Sequence, residues 1–366
     1  MKHLYTLLIA IVFVLSGQSV KSQLPSIDFL YGFTNDARLL LQEYIRPYAN
    51  IMGANLNAGW YNTAEPHKLG GFDITATFSI ATAPVTALSY DLNDLVELRA
   101  QVEGPTSIAP TAAGNMAVTP ELVYSQVIDN PLTGIPETFE LARVKHPNGT
   151  GLKFLPLPMA QATIGLIKGT DVTFRFVPMT NIRDYGEIGV FGIGGKHSVS
   201  QWIPVIKSLK FINISVQGGY TKVRTAAALN MKPIAEVEID NPPNWDTNSD
   251  QIASMDISGW TVNLIASQSI PVITVYQGIG YSSSLVDMSI LGTYPLNSIV
   301  TEPGVDFGKT TYTVVENPIE EMQFENFRNL RLNAGARFKL GILTLHYDFT
   351  RTLYSTHTVG FGISFR

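Results

Sequence analysis

The stretch Asn329-Leu330-Arg331-Leu332-Asn333-Ala334-Gly335-Ala336-Arg337-Phe338-Lys339-Leu340 decides the fold. Every second residue from Leu330 to Leu340 is apolar, and the residues between them include Arg331, Arg337 and Lys339. Successive side chains of a strand point to opposite faces, so this is a strand with one apolar and one charged face. The pattern repeats at once. Leu343, Leu345, Tyr347 and Phe349 oppose Thr344, His346, Asp348 and Thr350. Val359, Phe361, Ile363 and Phe365 oppose Thr358, Gly360, Gly362 and Ser364.

Alternation alone also suits a soluble sandwich. Three features favour a membrane barrel. The strands run to about ten residues, a spanning length. Aromatic residues sit near the apolar strand ends (Phe338, Tyr347, Phe349, Phe365), as interfacial girdles do. The final strand carries Phe365 as its penultimate residue, an ending that resembles the C-terminal aromatic signature of outer-membrane barrels, shifted one place by Arg366.

Working upstream, the same period recurs at Phe72–Ile80, Val172–Phe176, Ile212–Thr221 and Trp260–Leu264, with poorer alternation in 160–168, 186–196 and 271–282. If the C-terminus is periplasmic, the periplasmic connections fall near Leu340-Gly341, Ser267–Ile270, His197–Lys210 and Lys168–Thr170. The external ones fall at 351–354, 293–328, 223–255 and 178–185, and the two longest are external, as in known barrels. Residues 197–210 are long for a periplasmic turn and have room for a short interfacial helix. This accounts for nine strands from residue 160 onward, so 53–146 must add an odd number to close an even barrel. The expectation is an all-β, transmembrane antiparallel β-barrel of about 12–14 strands spanning residues 53–366, with 105–158 open to reading as one long external loop.

Composition fits that class. Charged residues make up 15% of the 366 residues, against roughly 25% in soluble proteins. The net charge is −5 and the basic residues do not cluster, which argues against a nucleic-acid partner. The absence of cysteine removes disulfides, thiolate metal sites and Cys nucleophiles. Residues 1–22 read as a secretory signal peptide: Lys2 and His3, an apolar run from Leu4 to Leu15, then a site before Gln23. Beyond it no apolar run has the length of a spanning helix. An exported chain that remains in a membrane must then satisfy its backbone by closing a barrel.

Residues 23–52 form a separate N-terminal helical segment. Thr34 or Asn35 is a capping residue, and Leu41, Ile45, Tyr48 and Met52 share one helical face. Gly53 reads as a stop, and Pro47 as a kink or break. Such a helix has two possible places, as a plug in the lumen or as a rim helix below the barrel.

The N-terminal helix, Asn57-Ala58-Gly59-Trp60-Tyr61-Asn62, His67-Lys68-Leu69-Gly70-Gly71-Phe72, Gly192–His197 and Gln201-Trp202-Ile203-Pro204 occur in that order. Together they resemble an uncharacterised family of Gram-negative outer-membrane barrels of unknown function. More distantly, the helix-then-barrel layout is similar to the long-chain fatty-acid transporter (FadL) family. That resemblance implies a 14-stranded barrel, a hatch in the lumen and movement of hydrophobic molecules through a lateral opening. The Asn-Pro-Ala-Gly stretch usual in that family is missing near this N-terminus.

Little else carries chemistry. Gly195-Lys196 is followed by His197 and not by Ser or Thr, so the Gly-rich stretch 189–197 is no P-loop. Small residues packed against a plug, or at a bend, explain it better. Asp246, Asn248 and Asp250 have calcium-loop spacing without its glycine or final glutamate. No metal, cofactor or catalytic residue is expected. The inward faces offer Arg331, Arg337, Lys339, His346 and Asp348, with Trp60, as candidate lumen residues. They read either as a self-neutralising ladder or as a cationic spot for a carboxylate or phosphate headgroup. The leading expectation is an outer-membrane barrel, in contact with lipid, for passive uptake or export of a small hydrophobic or amphipathic molecule. A non-transporting scaffold or assembly protein is the alternative, and a lipid hydrolase a third possibility.

Overall fold

The computed structural model describes residues 34–130, 133–181, 186–204, 206, 211–229, 231–233, 250–302 and 306–365. The signal-peptide segment 1–22 and the calcium-like Asp246 and Asn248 lie outside the described residues.

Among the described residues, ten antiparallel strands close a barrel. They are β1 (Phe72–Thr82), β2 (Phe154–Gly165), β3 (Thr170–Asn181), β4 (Glu187–Ser198) and β5 (Ile212–Ala228). They continue as β6 (Ile252–Ser269), β7 (Ile273–Leu291), β8 (Ile319–Leu340), β9 (Leu343–Arg351) and β10 (Thr356–Phe365). Each strand pairs with the next, and β1 closes the ring against β10 with Phe72 opposite Phe365 and Ser79 opposite Thr358. All nine strands read downstream of residue 160 are present. The odd number owed by residues 53–146 is one, β1, so the barrel has ten strands and not 12–14. The 14 strands implied by the fatty-acid transporter resemblance are likewise not formed.

The reason lies in residues 83–153. Their strands Glu121–Asp129 and Pro136–Lys145 pair with each other and with Gln101–Glu103 in a separate small sheet. Glu137, Glu140, Arg143 and Lys145 put charge on both faces of one of these strands. Neither face suits lipid, so the segment folds on the external side as a capping insertion.

The barrel wall alternates as its sequence requires. Phe338, Tyr347, Phe361 and Val262 point outward and are exposed, while Arg331, Asn263, Thr77 and Asp348 point inward and are buried. An exposed apolar exterior around a polar interior is the surface of a membrane-spanning barrel. Strands β5 to β8 outgrow the alternating stretch: β8 starts at Ile319, not at Asn329. Upstream of Asn329 the exposed residues of β8 among those described are polar (Glu320, Glu321, Gln323 and Arg328), so an apolar outer face is no longer kept. The hairpin Thr293–Ile299/Thr310–Glu316 extends this external region.

Helix α1 (Thr34–Asn57) lies inside the barrel, packed on β1, β2 and β5 to β8. It is a plug and not a rim helix. It runs unbroken through Pro47 and past Gly53. Pro47 cannot donate to the carbonyl of Glu43. One residue on, the Tyr44 carbonyl takes the backbone N–H of Ala112 from the insertion at 2.8 Å, so tertiary bonding supports the disturbed turn. Gly53 serves close approach: a Cβ there would lie 2.2 Å from the Ser284 hydroxyl.

The helix has a direction. At its start, Asp36 Oδ2 accepts the backbone N–H groups of Arg99 and Ala100 at 2.9 and 2.8 Å, tying that end to the insertion. Leu40, Leu41 and Tyr44 join a buried apolar cluster with Leu92, Leu122 and Leu141. From Asn57 the chain descends through the lumen to the short-turn rim, where the Gly70 N–H bonds the Gly165 carbonyl before β1 begins.

Candidate functional site

The end of α1 sits deep in the barrel, where its last carbonyls have no intrahelical donors and meet no solvent. Two wall arginines supply the donors. Arg175 of β3 donates to the carbonyls of Leu56 and Ala58 at 2.8 and 2.7 Å, and to Gln161 Oε1 at 3.2 Å. Arg331 of β8 donates to the Asn57 carbonyl and to Thr261 Oγ1. Both arginines are buried. Their positive charge complements the negative end of the helix dipole, which offsets part of the cost of burying them.

Trp60 lies beside this clamp, with the Arg175 guanidinium 3.7 Å from its ring centre. That contact is a buried cation–π pair. The ring fits because two wall positions carry no side chain. A Cβ at Gly194 or Gly219 would lie 2.6 or 2.5 Å from ring atoms. Gly278 makes the same allowance for the Tyr61 hydroxyl. The glycine-rich stretch of β4 is thus a seat for an aromatic side chain of the plug.

Below Trp60 a second set of polar groups holds the descending chain. Asp171 accepts the His67 backbone N–H at 2.9 Å. Its other oxygen stands 3.1 Å from both His67 Nδ1 and Lys196 Nζ. Lys196 also donates to the carbonyls of Thr63 and Glu65 at 3.2 Å each. The Ala64 N–H donates to Ser267 Oγ at 3.0 Å. Between these groups lies a polar cavity of about 20 Å³, bordered by Asn62, Asp73, Gln161 and Thr163. It has the size of one water site.

The residues picked out from sequence separate into groups. Arg331 and Trp60 belong to the plug seat. Arg337 pairs with Asp73 of β1 across the lumen at 3.4 Å. Asp348 accepts Asn333 Nδ2 at 2.8 Å and the Tyr276 hydroxyl at 3.2 Å. His346 lies buried against Gly360, where a Cβ would be 2.1 Å from its ring. Lys339 is half-buried on the short-turn rim. Sequence reasoning missed Arg175, Asp171, Lys196 and His67 as plug contacts. Arg175 was visible as an inward charge between Phe174 and Phe176, but nothing local says that its partner is a helix end more than a hundred residues away.

A family model described as "Family of unknown function (DUF6588)" matches residues 1–365. No curated protein matches. Among solved structures, the chain is similar to the translocator domain of the autotransporter NalP from Neisseria meningitidis, with a TM-score of 0.26, 8% identity, and 92% of this chain and 99% of that chain covered. It is also similar to the beta domain of the Bordetella autotransporter BrkA, with a TM-score of 0.24, 8% identity, and 81% and 100% covered. The transport unit of the autotransporter AIDA-I from Escherichia coli gives a TM-score of 0.23, 8% identity, and 89% and 99% covered.

Proposed function

The chain belongs to this family of unknown function, and from its geometry we propose a closed outer-membrane barrel that acts as a non-enzymatic scaffold, with the external insertion as its working face. The observation that carries this reading is the occupied lumen. Helix α1, Trp60 and Tyr61 fill the barrel's centre, and Arg175 and Arg331 fix the helix end with buried, charge-assisted bonds. A path for a hydrophobic or amphipathic solute needs an apolar space between plug and wall. The cavity beside Trp60 is instead polar and about the size of one water site. This favours a lumen that passes such a solute only when the plug leaves its seat. The outer membrane is the location proposed, because an exposed apolar wall on a closed barrel suits a bilayer and the leader read from residues 1–22 directs export.

Planar-bilayer conductance tests the proposal. The purified protein is expected to give no steady channel. The Arg175→Ala/Arg331→Ala double variant, checked for folding by its heat-shifted gel mobility, is expected to give frequent openings as the plug loosens. Steady conductance in the unaltered protein would overturn the closed scaffold in favour of transport.

A further inference from the structure

The connections of the short-turn rim carry exposed apolar side chains where short turns are usually polar. Among the described residues, each of its five connections presents a large apolar side chain to solvent. They are Leu69 before β1, Ile167 between β2 and β3, Trp202 between β4 and β5, Ile270 between β6 and β7, and Ile342 between β8 and β9. Leu69 is 72% exposed and Trp202 67%. A periplasmic rim in water has no use for five exposed large apolar side chains.

The lipid-facing band explains the ring by continuity. On β8 the outward apolar run extends from Leu340 up to Leu330, and Arg328 is the next outward residue. At ~3.3 Å per residue and a tilt of ~40°, that run covers about 25 Å, the height of a barrel's apolar band. Its lower end coincides with the turn at Gly341-Ile342, so no strand length is left to carry the turns clear of the membrane. Charge agrees with this placement. The exposed charged residues of the described rim segments are Lys68 and Lys168, both cations. The Trp202 indole N–H donates to His197 Nε2 at 3.2 Å, leaving the ring's apolar surface outward, as interfacial tryptophans do.

We propose that the short-turn rim is seated in the inner phospholipid leaflet, with its five apolar turn tips in the acyl boundary and Lys68 and Lys168 on anionic lipid phosphates. The inference rests on the spanning barrel put forward above.

The chain has no cysteine, so single spin labels can be placed cleanly. Ile167→Cys, Ile270→Cys and Ile342→Cys would be labelled in phosphatidylcholine vesicles, beside Leu264→Cys in the mid-band and Val96→Cys on the external insertion. Rim labels are expected to collide with oxygen several-fold more than with a water-soluble nickel chelate, following Leu264→Cys. Rim labels that follow Val96→Cys while Leu264→Cys stays lipid-like would overturn the seating and leave a protein as the cover of the ring. Water-like behaviour at Leu264→Cys as well would sink the spanning barrel itself. For the lysines, a bimane at Ile167→Cys is expected to be quenched several-fold better by brominated phosphatidylglycerol than by brominated phosphatidylcholine. The preference should vanish in Lys68→Gln/Lys168→Gln. Equal quenching with both lysines present would remove the anionic-lipid contact from the proposal.

Discussion

Trp60 and the two glycines beneath it form a single unit whose members are far apart in sequence. A Cβ at Gly219 would stand 2.5 Å from the indole, closer than packed carbon atoms approach, and the wall around it is too dense to give way cheaply. Gly219→Ala is therefore expected to destabilise the barrel by about 1–3 kcal/mol. Trp60→Ala should cost about 3–5 kcal/mol by leaving a cavity under Arg175. The informative quantity is the coupling. In the Trp60→Ala background, Gly219→Ala should cost almost nothing, because the clash has gone. Thermal melts of the four proteins in detergent measure this, and additive losses would mean that the glycine is required for another reason. From sequence, the glycines of 189–197 on β4 were legible as small residues packed against a plug or at a bend, and Gly219 of β5 was not singled out. Which side chain approaches was not legible, since no local pattern links residue 60 to residues 194 and 219.

At the scale of elements, the plug helix and the insertion fold onto one another. The helix's apolar face at Leu41, Ile45, Tyr48 and Met52 was readable from its period, and all four pack in or against the main apolar cluster. Its length was not readable, because Pro47 and Gly53 are ordinarily breakers and only the insertion and the barrel wall make them tolerable. The insertion's own keystone is His146. It is buried, accepts from the Tyr90 hydroxyl at Nε2 and donates from Nδ1 to the Pro147 carbonyl, both at 2.8 Å. Burial pushes its pKa down to about 4, against the donation to Pro147, which favours the charged form. Between its free value near 6.5 and 4, the unfolded insertion binds a proton that the folded one refuses, so stability falls as pH falls through that window. The loss is at most about 3 kcal/mol, complete near pH 4 and absent above about pH 7. Hydrogen exchange in residues 120–146 should therefore speed up between pH 7 and 4, after correction for intrinsic rates. His146→Phe should flatten that dependence, and an unchanged slope in the variant would assign it to another group.

The whole molecule has an orientation that follows from its rims. Short turns stand on one side and the insertion and long loops on the other, and outer-membrane barrels place long loops outside. Because Asp36 is bonded to the insertion, the start of the helix belongs to the external side, although the chain reaches β1 from the opposite rim. A cysteine at the exposed Arg38 should react with a membrane-impermeant maleimide on intact cells, and one at Lys168 only after the cells are opened. The reverse pattern would invert the barrel. The sequence by itself determined that the chain alternates with period two, where the barrel strands run, which connections are long, and which faces are polar. These are local properties, fixed by side-chain order along a strand. Only the tertiary structure decided the closure at ten strands, the placing of the helix inside, and the assignment of each inward charge to a partner. The lumen brings together groups from across the chain, and a buried carbonyl or guanidinium takes whichever partner the closed ring puts within hydrogen-bond reach.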